Sequence, residues 1–263
     1  MKNKKVAIIF YGLTRSLSST IESIKNNLLT PLNNNSMEYD IFIHTYKIYG
    51  PYNNVWSNEH IESYNNEDVE KILNPKYFIY DNQEEIINSI NFDEYYTKLG
   101  NWSGQSMFNE ELTKYLIKNL CLALYSKKKI TNIFENYKDD YDYGIIIRPD
   151  ILIIDEIDIN YFNELNDNNI IIPEKDWWSG CNDRFCIGKP ETIIYCGKLF
   201  DDLKKYSENK SIISELYFQD KLKEKNINII SKNINYETLR INRSFSTNNN
   251  KYFGSTFLKG GNY

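Results

Sequence analysis

The sequence predicts a single α/β domain with a mostly parallel central sheet flanked by helices. Three observations lead there. The unbroken apolar run KVAIIFYG, residues 5–12, reads as a strand buried on both faces. A helically spaced set follows it: Leu17, Ile21, Ile24 and Leu28. YDIFIHTY, residues 39–46, then reads as a second strand. This β-α-β opening is the unit of a parallel sheet with crossover helices.

The remaining elements follow the same logic. Residues 51–66 are polar and aromatic and read as a loop, followed by a short helix over 66–73 and a strand over 76–80. Leu112, Leu116, Leu120, Ala123, Leu124 and Ile130 form one apolar stripe, predicting a long, interrupted helix over about residues 106–137. YGIIIRPDILIID, residues 143–155, carries six isoleucines and reads as one buried strand. DINYFNEL (158–165) is helix-like, and residues 169–173 and 184–188 are strands. A helix starts after Pro190, a second in SIISELYFQDKLKEKNI, and a strand lies at 228–231. From Asn242 the chain is Asn/Ser/Gly-rich, a composition expected to order only with ligand. No repeat or strong linker divides the 263 residues.

Bulk composition narrows the function classes. The net charge of -5 argues against a general nucleic-acid binder, which needs a basic surface, but leaves room for a small anion held by a few arginines. Cys121, Cys181, Cys186 and Cys196 form no C-x-x-C pair, and only two histidines accompany them, so they read as free thiols in a reducing, cytoplasmic setting. No stretch approaches the ~20 apolar residues of a membrane span. The basic-then-apolar opening reads as the first strand rather than a leader. The 22 tyrosines, with abundant Asn, Ile and Lys, are the mark of A/T-rich codons.

Four stretches carry candidate chemistry. Tyr11-Gly12-Leu13-Thr14-Arg15 follows the first strand, where ligands of open α/β sheets bind; it is neither a dinucleotide fingerprint nor a P-loop. Arg148-Pro149-Asp150 interrupts the isoleucine run. Its aspartate oxygens suit Mg²⁺ or Mn²⁺ and its arginine suits a phosphate; the alternative is an internal Arg–Asp ion pair that stitches the sheet. Trp177-Trp178-Ser179-Gly180, with Asn182, Asp183 and Arg184, makes a natural carbohydrate surface; the alternative puts one tryptophan in the core and Asn182-Asp183 in a turn. Ser214-Glu215 opens a helix, and Glu215 is a general base if it faces the cleft. His44 ends the second strand, in reach of a base or ribose, or packed. Arg240 and Arg243 are candidates to close over a diphosphate.

Taken in order, these segments resemble the nucleotide-sugar glycosyltransferases of the GT-A type, above all the small ones of surface-polysaccharide gene clusters and large DNA viruses. The resemblance rests on the strand-Tyr-Gly-Leu-Thr-Arg opening, YDYGIIIRPDILI after a long helix, NDRFCIGKPETI and SELYFQDKL, and spans about residues 5–230. It implies a Rossmann-like domain whose first part, about 1–105, binds nucleotide, and whose second, about 106–263, holds metal and acceptor. The reaction implied is sugar transfer from a nucleotide-sugar donor to a saccharide or glycoconjugate acceptor.

The family's Asp-x-Asp motif is matched here by Asp150 alone, with Arg148 in the first place. The resemblance therefore implies either a divalent cation, Mn or Mg, on Asp150, or an arginine replacing part of its charge. It matches the family's later acidic residue to Glu215, with Asp183 second: in an inverting enzyme one of them is the catalytic base that deprotonates the acceptor hydroxyl, and a retaining enzyme demands no such base. It places Tyr11, Gly12, Leu13, Thr14, Arg15, His44, Arg148 and Arg243 at the nucleotide and diphosphate, and Trp177, Trp178, Asn182 and Asp183 at the sugar or acceptor. On this view Asp150→Ala abolishes most transfer and leaves the fold intact. Two alternatives stay open. A sugar-1-phosphate nucleotidyltransferase would need a glycine-rich basic loop that residues 11–15 lack. A non-catalytic carbohydrate-binding protein would need only the tryptophans.

Overall fold

The computed structural model describes residues 3–96 and 110–241. The chain is α/β, built on a seven-stranded sheet. Its strands are β1 (Lys4–Tyr11), β2 (Met37–Lys47), β5 (Tyr77–Asn82), β6 (Tyr143–Ile147), β8 (Asn169–Pro173), β9 (Phe185–Gly188) and β10 (Asn228–Lys232), in spatial order β10-β8-β9-β6-β1-β2-β5. All pairings are parallel except those of β9, which runs against both β6 and β8. The hairpin β3 (Tyr52–Asn54) and β4 (Glu59–Ile61) occupies the segment expected to be a loop. A two-stranded ribbon pairs β7 (Ile151–Ile153) with β11 (Tyr236–Thr238).

Strand alternation explains the two core layers. Val6, Ile8 and Phe10 of β1 face one side of the sheet and join Leu17, Ile21, Ile24 and Leu28 of the first crossover. Ala7, Ile9 and Tyr11 face the other and pack with Ile117, Leu120, Leu124 and Phe134 of α5 (Glu110–Glu135). A strand covered on both faces has no polar side, hence its continuous apolar run. The long helix is uninterrupted across its 26 described residues, where the sequence suggested a break. Its proposed start, residues 106–109, lies outside the described residues.

The crossover after β1 is α1 (Leu17–Ile24), a π-turn over Lys25–Leu29 and α2 (Thr30–Asn34). Pro31 is the cause of a local change in the ladder: it has no N–H to give to the carbonyl of Asn27. That carbonyl accepts instead from the Ile157 amide at 2.8 Å, and the Asn27 side chain donates to the Ile153 carbonyl at 2.7 Å. The proline thus fixes where the segment after β7 docks.

The isoleucine run is not one strand. β6 leaves the main sheet at Ile147, Arg148–Asp150 turn the corner, and β7 enters the small ribbon. Helices α3 (Val69–Leu73), α4 (Gln83–Ser89), α6 (Pro190–Gly197), α7 (Phe200–Ser207) and α8 (Ser214–Glu224) complete the layers. The segment 158–165 is a 3₁₀ turn rather than a full helix. All four cysteines are free and buried. No helix among the described residues is long and apolar enough to cross a membrane.

Phe42 is fully buried, stacked on Tyr77 at 4.8 Å and edge-on to Phe134 and Tyr141. Phe42→Ala is expected to cost about 3–5 kcal/mol through the cavity it leaves, read as a lower midpoint in urea unfolding at unchanged slope.

Candidate functional site

The strand order reverses between β1 and β6: β2 and β5 lie on one side of β1, and β6 opens the other. In an open α/β sheet this is where a crevice forms outside the carboxyl ends. The turn after β1 and the corner after β6 meet there. The same sheet edge carries the start of antiparallel β9, with Asp183 and Arg184 just before it, and the tryptophan loop after β8. Arg240 follows the ribbon strand β11.

Gly12 needs its glycine at φ +91°, and nothing lies within 4 Å of where a Cβ would point. Its amide donates to Ser126 Oγ at 2.7 Å. Ser126 also meets His44 Nδ1 at 2.7 Å, and His44 Nε2 lies 3.1 Å from Asp81. The consistent tautomer has Nε2–H donating to the carboxylate and Nδ1 accepting from the serine. Burial pushes the imidazole down to about 4 against the opposing pull of Asp81, so it is neutral at pH 7. His44 is packed, and through Ser126 it holds the turn after β1. Leu13 packs against the small cluster of Ile48, Tyr52 and Tyr64, and Thr14 is buried. Tyr11 is buried too, its hydroxyl donating to the Asp183 carbonyl at 3.1 Å.

Arg15 is buried, and both its terminal nitrogens are engaged. Its Nη1 donates to Tyr52 at 2.6 Å and Glu59 at 2.9 Å, and its Nη2 to Asp150 at 3.0 Å. Asp150, 1% exposed, also accepts from Arg148 Nε at 2.9 Å and from Arg148 Nη2. Burial alone would raise the Asp150 carboxyl; Arg148 and Arg15 overcome that and hold it well below the usual carboxylate range. Both its oxygens are occupied by guanidinium, and no group of three or more His, Cys, Asp or Glu able to hold a metal occurs among the described residues. The donor set does not fit the Mn or Mg ion expected on Asp150. The internal ion pair is what forms, and Asp150 acts by orienting two arginines.

The helix end after β1 is also closed. The Ser18 amide and hydroxyl both donate to the Glu67 carboxylate, which occupies the positive end of α1 where a phosphate would sit in a dinucleotide fold. Cationic side chains are what remains for an anion. Arg148 is partly exposed, and Arg240 is half-buried with no ion pair among the described residues. Arg243 lies outside the described residues.

At the same sheet edge, beside Asp183 and Arg184, Glu215 is 6% exposed. Burial first, then the neighbouring Asp183 carboxylate, push its carboxyl up to about 8, while Arg184 pulls it down. Arg184 donates to Asp176 at 2.7 Å and lies 3.5 Å from Glu215. Ser214 donates to Asp183 Oδ2. Trp177 and Trp178 are 39% and 48% exposed, flanked by Asp176 and Ser179, both at φ +61°. Two non-glycine residues in the left-handed region mark a loop held in shape by its surroundings. Gly180 shows how: a Cβ there would stand 2.3 Å from the Glu215 carbonyl, so the loop is seated on the first turn of α8. Asn182 is fully buried. Its amide nitrogen donates to Lys175 O at 2.7 Å and to the Tyr236 hydroxyl, and its oxygen accepts from the Arg184 amide at 2.9 Å. This is the turn-capping alternative.

The sequence reading missed Lys127. It lies in the apolar stripe of α5, three residues past Leu124, and is buried. Its ammonium sits 4.5 Å from the Tyr11 ring and donates to the Asp183 carbonyl at 3.2 Å, tying β1 to the segment before β9. A lysine on an otherwise apolar face was the available signal. Glu59 and Tyr52, the partners of Arg15, carried none, because the hairpin that presents them was read as a loop.

No protein-family model matches the chain, and no curated protein matches it.

Two outcomes test this arrangement. Asp150→Ala, which strands two arginines, is expected to destabilise the fold by about 3–5 kcal/mol, against the intact folding expected of a metal ligand; thermal melts decide. For His44, the folded imidazole titrates near 4 and the unfolded one near 6.5, so the unfolded state binds more protons between these values. Stability therefore falls as pH drops through that window, by about 2 kcal/mol between pH 7 and pH 5. Urea unfolding at the two pH values measures it, and His44→Asn should remove that share of the loss.

Proposed function

We propose that the chain is a glycosyltransferase, moving a sugar from a nucleoside-diphosphate donor to a saccharide or glycoconjugate acceptor. The observation that carries the proposal is the presence, at one sheet edge, of guanidiniums at the corner after β6 and of a buried acid whose helix start seats the loop of two exposed tryptophans. In such a transfer the bond from the anomeric carbon to the diphosphate oxygen breaks and a bond to the acceptor oxygen forms. The acceptor proton must go to a base, and the nucleoside diphosphate leaves with added negative charge. Positive charge fixed at the leaving group favours that step. Glu215 is the proposed base and Asp183 its modulator. Trp177 and Trp178 offer flat apolar faces to a sugar ring.

The tryptophan exposure equally favours a second reading, a protein that binds carbohydrate without chemistry. A thermal-shift panel of UDP, GDP, CMP and dTDP sugars separates the two, since a ligand of the folded state raises the midpoint by mass action. Stabilisation by one nucleotide class supports transfer. Stabilisation by glycans alone supports the binding protein.

If Glu215 is the base, transfer rises with pH as the carboxyl loses its proton, half-maximal near pH 8. Glu215→Gln should lower the rate about 10²–10⁴-fold and abolish that pH limb with the melting temperature retained. A rate indifferent to the substitution removes Glu215 from the chemistry.

A further inference from the structure

Around the corner after β6, three guanidiniums meet two carboxylates: Arg15, Arg148 and Arg240 against Asp150 and Glu59. Every oxygen of the two acids is spoken for. Asp150 Oδ1 accepts from Arg148, and Oδ2 from Arg148 and Arg15. Glu59 Oε2 accepts from Arg15 at 2.9 Å and Asn54 at 3.0 Å, and Oε1 from the Ile241 amide at 2.8 Å. None of these bonds comes from Arg240. Its Nε is buried without an acceptor, and so are Arg15 Nε, the Tyr64 hydroxyl and the Thr238 hydroxyl. Tyr64 and Thr238 are 6% and 3% exposed. Buried polar groups are ordinarily satisfied, so several unsatisfied ones around a surplus cation indicate a missing acceptor. Burial, then Arg15 and Arg148, push the Arg240 guanidinium down to about 10, the sense expected when cations are crowded without a counter-anion.

We propose that Arg240, together with Arg148, binds the diphosphate of the donor directly, with guanidinium charge in the place of a bridging metal ion. The identity of the donor rests on the sugar-transfer reading; the anion site does not. A planar fork matches two phosphate oxygens at once, and each of the two nearby carboxylates already accepts three hydrogen bonds from other groups. Asp150 could take up a cation only by releasing Arg148 and Arg15. The Glu67 cap on α1 removes the usual backbone alternative.

The test is calorimetric titration of the full chain with inorganic pyrophosphate in EDTA, then with excess Mn²⁺. Pyrophosphate is expected to bind in EDTA with an affinity that Mn²⁺ changes less than about threefold, beyond its own complexation of the ligand. Arg240→Gln should weaken binding about 10- to 100-fold, the loss of a charge-assisted contact. Arg240→Lys, which keeps the charge but not the fork, should fall between and guards against a folding defect in the first variant. Lys210→Gln, an exposed charge paired with Asp220, should bind as the parent does. Binding that requires Mn²⁺, no binding, or equal affinity in both Arg240 variants overturns the proposal. If pyrophosphate binds as expected and no nucleotide sugar is bound or turned over, the anion site stands and the transfer reading falls.

Discussion

The buried contact of Asp150 with Arg15 and Arg148 is the constraint on which the upper edge of the sheet depends. One carboxylate joins the turn after β1 to the corner after β6, across the point where strand order reverses. An isolated buried aspartate or arginine would be costly, and together they are tolerated because each satisfies the other. The Asp150 carbonyl also accepts from the Leu239 amide at 2.8 Å, so the same residue tethers the strand that leads to Arg240. One residue thereby pairs two arginines through its side chain and fixes the path of the following strand through its backbone carbonyl.

Around this contact the protein closes the usual routes by which an α/β sheet holds phosphate. Glu67 caps the first helix, the turn at Gly12 is held from behind by Ser126 and His44, and the aspartate of the strand end faces inward. Positive charge is gathered at the corner after β6, in Arg15, Arg148 and Arg240. It is held in guanidiniums, which stay charged when partly buried where an ammonium would tend to lose its proton. Lys127 is an exception: burial works against its ammonium, but Tyr11 and Asp183 outweigh that and raise its pKa.

Glu215 and its neighbours follow a different physics. Glu215 and Asp183 are near enough to discourage full ionisation of both, and Arg184 sits between Asp176 and Glu215 as a partial counter-charge. Gly180 packs against the Glu215 backbone, so the tryptophan loop is seated on the helix start that carries this acid. A carboxyl kept protonated near neutrality and an aromatic platform thus share one support, the first turn of α8.

What the sequence determined by itself was the layered α/β architecture. Apolar runs at β1, β2 and β6 leave no side for water, and the 3.6-residue stripes of α1 and α5 supply the covering faces, so periodicity alone specifies sheet and helices. The importance of Arg148-Pro149-Asp150 was also legible, since charge inside an isoleucine run demands a reason. What only the tertiary structure decided was what each polar group faces. Arg15 lies far in sequence from Asp150 and Glu59, and no local pattern predicts that they converge. Nor could spacing tell whether Asp150 would meet a metal or a guanidinium, or that Asn182 and His44 would spend their hydrogen bonds inside the fold. Periodicity is a local property of the chain; the partner of a buried charge is set by contacts between distant segments.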